Sequence, residues 1–227
     1  MNDSVLISVG LPVALAIIMF GLGLSLQVAD FRRVARTPRA VVVALGLQVL
    51  VLPVIAFGLV VAFDLDPLLA VGVMLLAASP GGTTANLFSH LFHGDVALNI
   101  TLTAINSVLA AVTIPLVTNL AIGYFDTDGD LGLQWAKVVQ VIAIVLVPVA
   151  IGMLVRRWSS AFAARADKPV RVFSIVVLVA VAVGALLGER ENLGGYLQQV
   201  GIVTGLLCVL SLSLGYAGAR LARLDQP

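Results

Sequence analysis

Ala78-Ser-Pro-Gly-Gly-Thr-Thr-Ala-Asn-Leu87 lies in the middle of a long apolar run and decides how this chain folds. Pro80 lacks the amide hydrogen that a helix needs, and Gly81 and Gly82 give the backbone a freedom that opposes helix formation. The sequence therefore predicts a helix that breaks here, at about membrane depth. Peptide groups freed by the break must be buried in protein or reached by water, because an unpaired group costs several kcal/mol in lipid.

The predicted break leaves two half-helix ends that face each other. The end near Ala78 offers free carbonyl groups, and the end that begins near Thr83 and Thr84 offers free N–H groups. Many secondary transporters hold an ion or an anionic substrate between such ends at the membrane midplane. A plain kink in a structural helix is the alternative, and Pro-Gly-Gly alone does not decide between the two.

Composition assigns the chain to the integral membrane proteins. Of its 227 residues, 60% are hydrophobic and only 11% are charged, and the mean hydropathy of +1.11 lies far outside the range of soluble proteins. The net charge of +1, without a dense run of Lys or Arg, argues against a nucleic-acid partner. The single cysteine, Cys208, argues against a disulfide framework and a thiolate metal site.

The chain divides into seven apolar segments, each of roughly 20 residues or more and long enough to cross about 30 Å of hydrocarbon. We expect all of them to be helices, because lipid permits only helices or closed barrels and these runs do not alternate as barrel strands do. The predicted spans cover residues 5–28, 40–63, 67–92, 96–124, 131–155, 169–188 and 193–221. The third is the broken one, and Pro115 and Pro148 are expected to kink the fourth and the fifth.

Basic residues predict the orientation in the membrane. Eleven of the 13 Lys and Arg residues fall on one side if the spans alternate, namely those in residues 32–39 and 156–171 together with Arg220 and Arg223. The positive-inside rule makes that side cytoplasmic. The chain is therefore predicted to lie in the inner or plasma membrane of the cell, with its N-terminus outside and its C-terminus in the cytoplasm.

Polar side chains inside the predicted spans are few and costly, and they are often functional. No Asp, Glu, Lys or Arg lies near the middle of a span, which leaves neutral oxygen ligands: Gln48 in the second span and Asn86 after the break. Asn99 and Thr103 share one face of the fourth span as residues i and i+4. Such oxygens suit a hard cation such as Na⁺. Hydrogen bonding between neighbouring helices is the alternative, and for these four residues we favour an ion site.

The turn His90-Leu-Phe-His93-Gly-Asp95 raises the question of a transition-metal site. His side chains at i and i+3 can share a helix face, but the sequence offers no third strong ligand nearby. We therefore favour a solvated helix end, and we expect no metal other than Na⁺.

Four motifs carry a resemblance to a known family. They are Phe20-Gly-Leu-Gly-Leu-Ser-Leu26 followed by Asp30-Phe31, Ser79-Pro-Gly-Gly-Thr-Thr-Ala-Asn86, Gly94-Asp-Val-Ala-Leu98, and Leu102-Thr103. They resemble the bile acid:sodium symporter family, and the likeness covers nearly the whole chain in order. The resemblance implies a sodium-coupled carrier of organic anions in which a core domain and a panel domain move against each other. It also implies one membrane domain, residues 1–227, built from two inverted repeats: residues 1–124 hold most of the first, and residues 131–227 hold an incomplete second that lacks its broken helix.

The resemblance also implies the sodium ligands. It places one sodium ion among Asn86, Asn99 and Thr103, and a second near Gln48 that is completed by another broken helix. Ala85 stands where family members often have Ser, so a contact there would be made by the backbone. Asn99 stands where Ser is usual, and its side-chain carbonyl can still coordinate. Apart from Na⁺ as the coupling ion, no cofactor is implied.

The last two predicted spans resemble an inverted partner of the first two. In the family a second broken helix, with an acidic residue and a Gln for the sodium sites, follows such a pair, whereas this sequence stops at Pro227. We therefore expect a family member that lacks its last two spans and does not transport alone. Two cations that face only neutral dipoles in a low dielectric should bind poorly.

Taken together, the sequence predicts an all-α integral membrane chain of a sodium symporter for a bile acid or another small carboxylate, which works by alternating access. Its partners are Na⁺, the organic anion and the lipid bilayer. It is not expected to be an enzyme, because the spans contain no nucleophile–base pair or metal cluster. An uncoupled facilitator or channel, and a non-transporting or partner-dependent subunit, remain as alternatives.

Overall fold

The structure, a computed structural model, describes residues 11–26, 38–81, 85, 88–89, 91, 94–125, 135–188 and 190–222. Within these residues all regular secondary structure is helical. The helices are α1 (Leu11–Ser25), α2 (Pro38–Ala62), α3 (Pro67–Ala78), α4 (Val96–Phe125), α5 (Trp135–Trp158), α6 (Ser160–Gly188) and α7 (Leu193–Leu221). Inside α2, one π-helical turn at Leu47–Val51 separates two α-helical parts, Pro38–Gly46 and Leu52–Ala62.

Four of the described helices, α2, α4, α6 and α7, are long and apolar enough to cross a membrane, and α1 and α3 contain shorter apolar stretches. Much of their apolar surface is exposed: none of the described side chains in the most apolar window of α6 is buried. Such a surface is costly in water and is readily solvated by lipid chains. The chain is therefore an integral membrane protein, whereas the number of seven spans and their orientation stay predictions.

The predicted break in the third apolar segment is confirmed in the part of it that the structure describes. Helix α3 ends at Ala78, and Ser79 has an extended backbone with φ −68° and ψ 140°. Pro80 and Gly81 are not helical, and helical backbone is described again at Ala85. Gly82 lies outside the described residues.

Helix α6 begins earlier than the apolar segment suggests. It starts at Ser160, whereas the apolar run starts at Pro169, and the helix continues through this proline. Hydropathy marks only the part of a helix that fits the hydrocarbon, while the hydrogen-bond ladder can continue into the headgroup layer. Helices α4 and α5 likewise continue through the predicted kink positions Pro115 and Pro148.

The chain forms two compact units. Unit 1 consists of Met1–Gln27 and Val139–Leu193, and unit 2 consists of Val28–Val138 and Gly194–Pro227. Unit 1 thus holds α1, α6 and nearly all of α5, and unit 2 holds α2, α3, α4 and α7. Each unit combines helices from both halves of the chain, and the two inverted repeats stay a prediction.

In unit 1, α1 packs closely against its neighbours through glycine. A Cβ atom on Gly23 would lie 2.9 Å from the Val149 carbonyl carbon and 3.0 Å from the Gly152 Cα of α5. A Cβ atom on Gly21 would overlap the Val170 side chain of α6. These contacts require residues without a side chain, as is common where membrane helices pack closely.

In unit 2, small and medium apolar side chains from four helices form one core. Its buried members are Ala56, Val60, Ala70, Val73, Met74, Ala77, Ala121, Val203 and Leu207. At its edge the rings of Phe57 and Tyr124 meet edge to face, with 4.9 Å between their centroids. The buried face of α3 is thereby held against α2 and α4, in a core to which α7 also contributes, and this packing fixes the position of the C-terminal end of α3.

Candidate functional site

The polar residue in the middle of α2 contacts the break that follows α3. The side-chain amide Nε2 of Gln48 donates a hydrogen bond of 3.1 Å to the backbone carbonyl oxygen of Ser79. Gln48 is half-buried, and Ser79 is the residue that ends α3. The contact uses the amide nitrogen of Gln48, so its Oε1 is the remaining acceptor of the side chain.

A π-helical turn surrounds Gln48. The Leu52 N–H bonds to the Leu47 carbonyl, five residues back, instead of to the Gln48 carbonyl, four residues back. The next residue, Pro53, has no N–H to offer. Within the helix, the Gln48 carbonyl therefore accepts no hydrogen bond from residue 52 or residue 53. Gln48 can present two oxygens, one from its backbone and one from its side chain.

The C-terminal end of α3 adds negative potential beside Gln48. Its last residues, Ala77 and Ala78, are buried. Ser79 satisfies two carbonyls of the last turn, because its N–H bonds to the Leu76 oxygen at 3.2 Å and its Oγ bonds to the Leu75 oxygen at 2.9 Å. The end of a helix carries about half a negative charge on its carbonyl oxygens. This place favours a cation over an anion.

Helix α4, which packs along α3, carries the other described candidates. It begins after Asp95, whose carboxylate accepts a hydrogen bond of 2.9 Å from the Leu98 N–H and so caps the helix. Asn99 and Thr103 follow, both half-buried and both on one face of the helix, one turn apart. The Thr103 backbone carbonyl accepts the Ser107 hydroxyl at 2.8 Å.

Two other polar residues of α4, Thr101 and Asn106, are buried, and Thr101 has a hydrogen bond within its own helix. Thr101 is completely buried, and its hydroxyl bonds to the Ala97 carbonyl of its own helix at 2.9 Å. Asn106, which is 9% exposed, lies nearly one turn beyond Thr103 on α4. The bond of Thr101 explains its burial without a ligand.

The structure brings together part of the predicted site. It joins Gln48 to the break, and it describes Pro80 and Ala85 as half-buried and Gly81 as exposed. The other residues predicted at the break lie outside the described residues: Gly82, Thr83, Thr84 and Asn86. The same is true of the two histidines of the turn, His90 and His93. Among the residues that are described, no group of three His, Cys, Asp or Glu side chains could hold a metal ion.

Sequence reasoning missed the π-helical turn. The signal for it lies in Pro53, because a proline inside a helix removes one rung of the hydrogen-bond ladder, and the turn before it must adjust. A π turn is one such adjustment and is frequent at functional sites. The combination of a mid-span Gln48 with a proline five residues later could have indicated it.

A cleft of about 210 Å³ in unit 2 opens beside Gln48. It lies between α2 and α7, and its polar side chains are Gln48 and Ser211. Its other lining residues are apolar or glycine, among them Gly215. The candidate site is therefore adjacent to open space within its own unit.

Comparison with known proteins agrees with the motifs. A model of the sodium bile acid symporter family matches residues 12–195. The chain is 32% identical over 225 residues to the uncharacterized sodium-dependent transporter YocS of Bacillus subtilis, a match that covers 97% of this chain and 68% of that protein. It is 29% identical over 227 residues to the ileal sodium/bile acid cotransporter of Homo sapiens, with 97% of this chain and 63% of that protein covered.

A plant protein is similar as well. The probable chloroplastic sodium/metabolite cotransporter BASS2 of Oryza sativa is 31% identical over 210 residues, which cover 90% of this chain and 48% of that protein. The chain thus spans about half to two thirds of the length of these relatives. Because the family model matches most of the chain and the motifs occur in the expected order, the chain belongs to the sodium bile acid symporter family.

Proposed function

We propose that this chain serves sodium-coupled transport of a small organic anion, and that Gln48 is a sodium ligand at the helix break. The observation that supports this proposal is the contact between the Gln48 amide and the Ser79 carbonyl, inside a π-helical turn. Nothing in packing alone requires a polar side chain in the middle of an apolar helix. A bound Na⁺ would use both oxygens that the turn makes available.

The proposed ligands share one chemical character. All are neutral oxygens: the two of Gln48, the side-chain carbonyls of Asn86 and Asn99, and the hydroxyl of Thr103. At Ala85, the backbone carbonyl is the only oxygen available. Na⁺ is a hard cation and prefers oxygen to nitrogen or sulfur. The carbonyl end of α3 adds the negative potential that neutral side chains lack.

The two units support transport by alternating access. The described candidates Gln48, Ala85, Asn99 and Thr103 all belong to unit 2, which we propose to be the core domain. Unit 1 contains none of them, and we propose that it is the panel domain. Movement of one domain against the other would expose the site to each side of the membrane in turn.

The substrate class follows from the relatives and from the helix break. Relatives of this chain are named as cotransporters of bile acid or metabolites with sodium. The half-helix predicted to begin near Thr83 and Thr84 would present free N–H groups, and these attract a carboxylate. We propose a small organic carboxylate as the substrate, carried in the same direction as sodium.

Thermal unfolding of the purified chain in detergent tests the sodium site. Because sites of neutral oxygens bind sodium poorly, we expect NaCl to raise the unfolding temperature more than KCl at equal ionic strength only at high salt concentration. Sodium at about ten times its dissociation constant would stabilise the folded state by about 1.4 kcal/mol. Gln48→Ala should reduce the difference between the two salts, because it removes a ligand of one of the two predicted sodium ions.

The matched control is Gln199→Ala, a change of the same residue type at an exposed position in α7 of the same unit. It should retain the sodium effect in full. Equal unfolding temperatures in NaCl and KCl for the unmodified chain, or an undiminished sodium effect in the Gln48 variant, would contradict the proposed site.

A further inference from the structure

The first turns of α6 extend beyond the part of the helix that the hydrocarbon can hold. Helix α6 has 29 residues, which make it about 44 Å long, whereas the hydrocarbon core is about 30 Å thick. About nine residues must therefore lie in the headgroup layer. The charged side chains Arg165 and Lys168 place this excess at the N-terminal end, Ser160–Lys168.

A single residue, Ser159, separates α5 from this segment. The Ser159 N–H bonds to the Val155 carbonyl at 2.8 Å and so ends α5. The Ser159 carbonyl and its Oγ accept the N–H groups of Ala163 at 3.0 Å and Phe162 at 3.3 Å, and so begin α6. Because Ser159 bonds to both helices, it links the end of α5 to the start of α6. The corner is the junction formed by residues 156–168.

The first turns of α6 have an inner and an outer face. Ala163 is buried, and Ala166 and Val170 are half-buried; their spacing places all three on one face of the helix. Val170 contacts α1 at Gly21. At 100° per residue, Arg165 and Lys168 lie on the opposite face, and both are exposed.

Two exposed aromatic side chains lie in the same stretch of sequence as the basic ones. Trp158, the last residue of α5, is 80% exposed, and Phe162 is 54% exposed. Tryptophan is enriched at the membrane–water interface, where its ring sits at the headgroup level. Exposed aromatic rings next to basic residues are the pattern of a segment that lies in the interface.

Most basic residues of the corner are exposed and form no described ion pair. Arg157, Arg165 and Lys168 are exposed, and none of the three forms an ion pair with another side chain that the structure describes. Their neighbour Arg156 is different, because its guanidinium donates to the Leu24 carbonyl at 2.5 Å. These three exposed positive charges thus have no ion-pair partner among the described side chains.

We propose that this corner is a binding site for anionic phospholipid headgroups. The site consists of Arg157, Arg165 and Lys168, with Trp158 and Phe162 beside the glycerol and upper acyl region of the same lipid. The charges complement a phosphodiester and an anionic headgroup, and the aromatic rings require a ligand with an apolar part. A phospholipid of the cytoplasmic leaflet has both, and this is the side on which the basic residues are predicted to lie.

Fluorescence of Trp158 tests the proposal. The chain has two tryptophans, so Trp135→Phe leaves Trp158 as the reporter. In detergent, this variant of the full chain is titrated with short-chain phosphatidylglycerol or with phosphatidylcholine of the same chain length. We expect saturable binding that is at least about tenfold tighter for phosphatidylglycerol and that weakens at high salt.

The triple change Arg157→Gln, Arg165→Gln and Lys168→Gln should remove the preference for phosphatidylglycerol. Arg190→Gln is the matched control, because this exposed arginine follows the other end of α6, and it should keep the preference. Circular dichroism and elution volume check that each variant is folded.

Three results would overturn the proposal. One is equal binding of the two lipids by the single-tryptophan chain, a comparison that remains decisive even where the triple variant does not fold. Another is an unchanged preference in a folded triple variant. The third is a fluorescence change of the same size and affinity with inorganic phosphate alone, which would indicate a site for a free anion and not for a lipid.

Discussion

Gly23 of α1 and Gly152 of α5 lie where the backbones of the two helices touch. A Cβ atom on Gly152 would lie 2.8 Å from the Leu24 nitrogen and 2.9 Å from the Gly23 carbonyl carbon. Both distances are shorter than real Cβ atoms show, and the atoms they would meet are backbone atoms, which cannot rotate away as a side chain can. The crossing of α1 and α5 therefore depends on glycine at both positions.

Gly152→Ala should destabilise unit 1 by about 1–3 kcal/mol, the usual range for overpacking a tight interior. The measurement is the unfolding temperature of the purified chain in detergent. Gly184→Ala is the control, because a Cβ atom there would meet nothing within 4 Å, and alanine is the better helix former. A Gly152 variant as stable as the Gly184 variant would show that the two backbones can separate without cost.

Next to this crossing, Arg156 of α5 caps the end of α1. Its guanidinium donates to the Leu24 carbonyl at 2.5 Å, and Leu24 is completely buried. Hydrogen bonds to charged groups contribute more than neutral ones, but Arg156 is half-buried. We therefore expect Arg156→Met to lower the stability of the fold by about 1 kcal/mol.

The comparison for Arg156 is Arg190→Met, which changes an exposed arginine in the turn before α7 and should leave the unfolding temperature unchanged. Arg156→Lys should recover part of the loss, since an ammonium group can donate to the same carbonyl with less favourable geometry. If the methionine variants at both positions unfold at the same temperature, the bond to Leu24 contributes nothing measurable.

The helix boundaries show what hydropathy can and cannot predict. The break after Ala78 follows from Pro80 and Gly81, because both residues act on the backbone locally, whatever surrounds them. The start of α6 at Ser160 does not follow from hydropathy, since it depends on a cap and lies outside the apolar run. The division into two units could not be predicted from local patterns, because it rests on contacts between helices that are distant in the sequence.

The candidate site shows the same division between local and distant information. Gln48 stood out because a polar side chain is rare in the middle of an apolar helix. Its contact with Ser79 joins residues 31 positions apart and could be expected only from the family resemblance. The π turn was missed because it arises from the joint effect of Pro53 and the packing of α2, and periodicity does not report it.

Pro53→Ala tests whether the π turn serves the ion. Alanine at position 53 supplies an N–H that can restore the α-helical ladder before it, so the Gln48 carbonyl would regain a helical partner and be less available to the ion. We expect the unfolding temperature to stay the same or rise, and sodium to bind about fivefold more weakly, the loss of one oxygen ligand worth about 1 kcal/mol. Sodium titration of the unfolding temperature measures both.

Pro67→Ala is the control for the proline change. Pro67 is the first residue of α3, where a backbone N–H would have no partner within the helix. Its replacement should therefore leave sodium binding unaffected. Equal sodium affinity in the two proline variants would show that the π turn does not contribute to sodium binding.

Thr103→Val tests the part of the site on α4. Valine matches threonine in shape, and the change removes one hydroxyl oxygen from a half-buried position. If this oxygen coordinates Na⁺, the difference between unfolding temperatures in NaCl and KCl should shrink markedly.

The partner variant is Thr101→Val, half a turn away. The Thr101 hydroxyl bonds to the Ala97 carbonyl of its own helix, so its loss should change stability by about 1 kcal/mol or less and leave the sodium effect intact. Two variants with the same sodium effect would assign Thr103 to helix packing, and Asn99, on the same face one turn before it, would then be the next candidate to test.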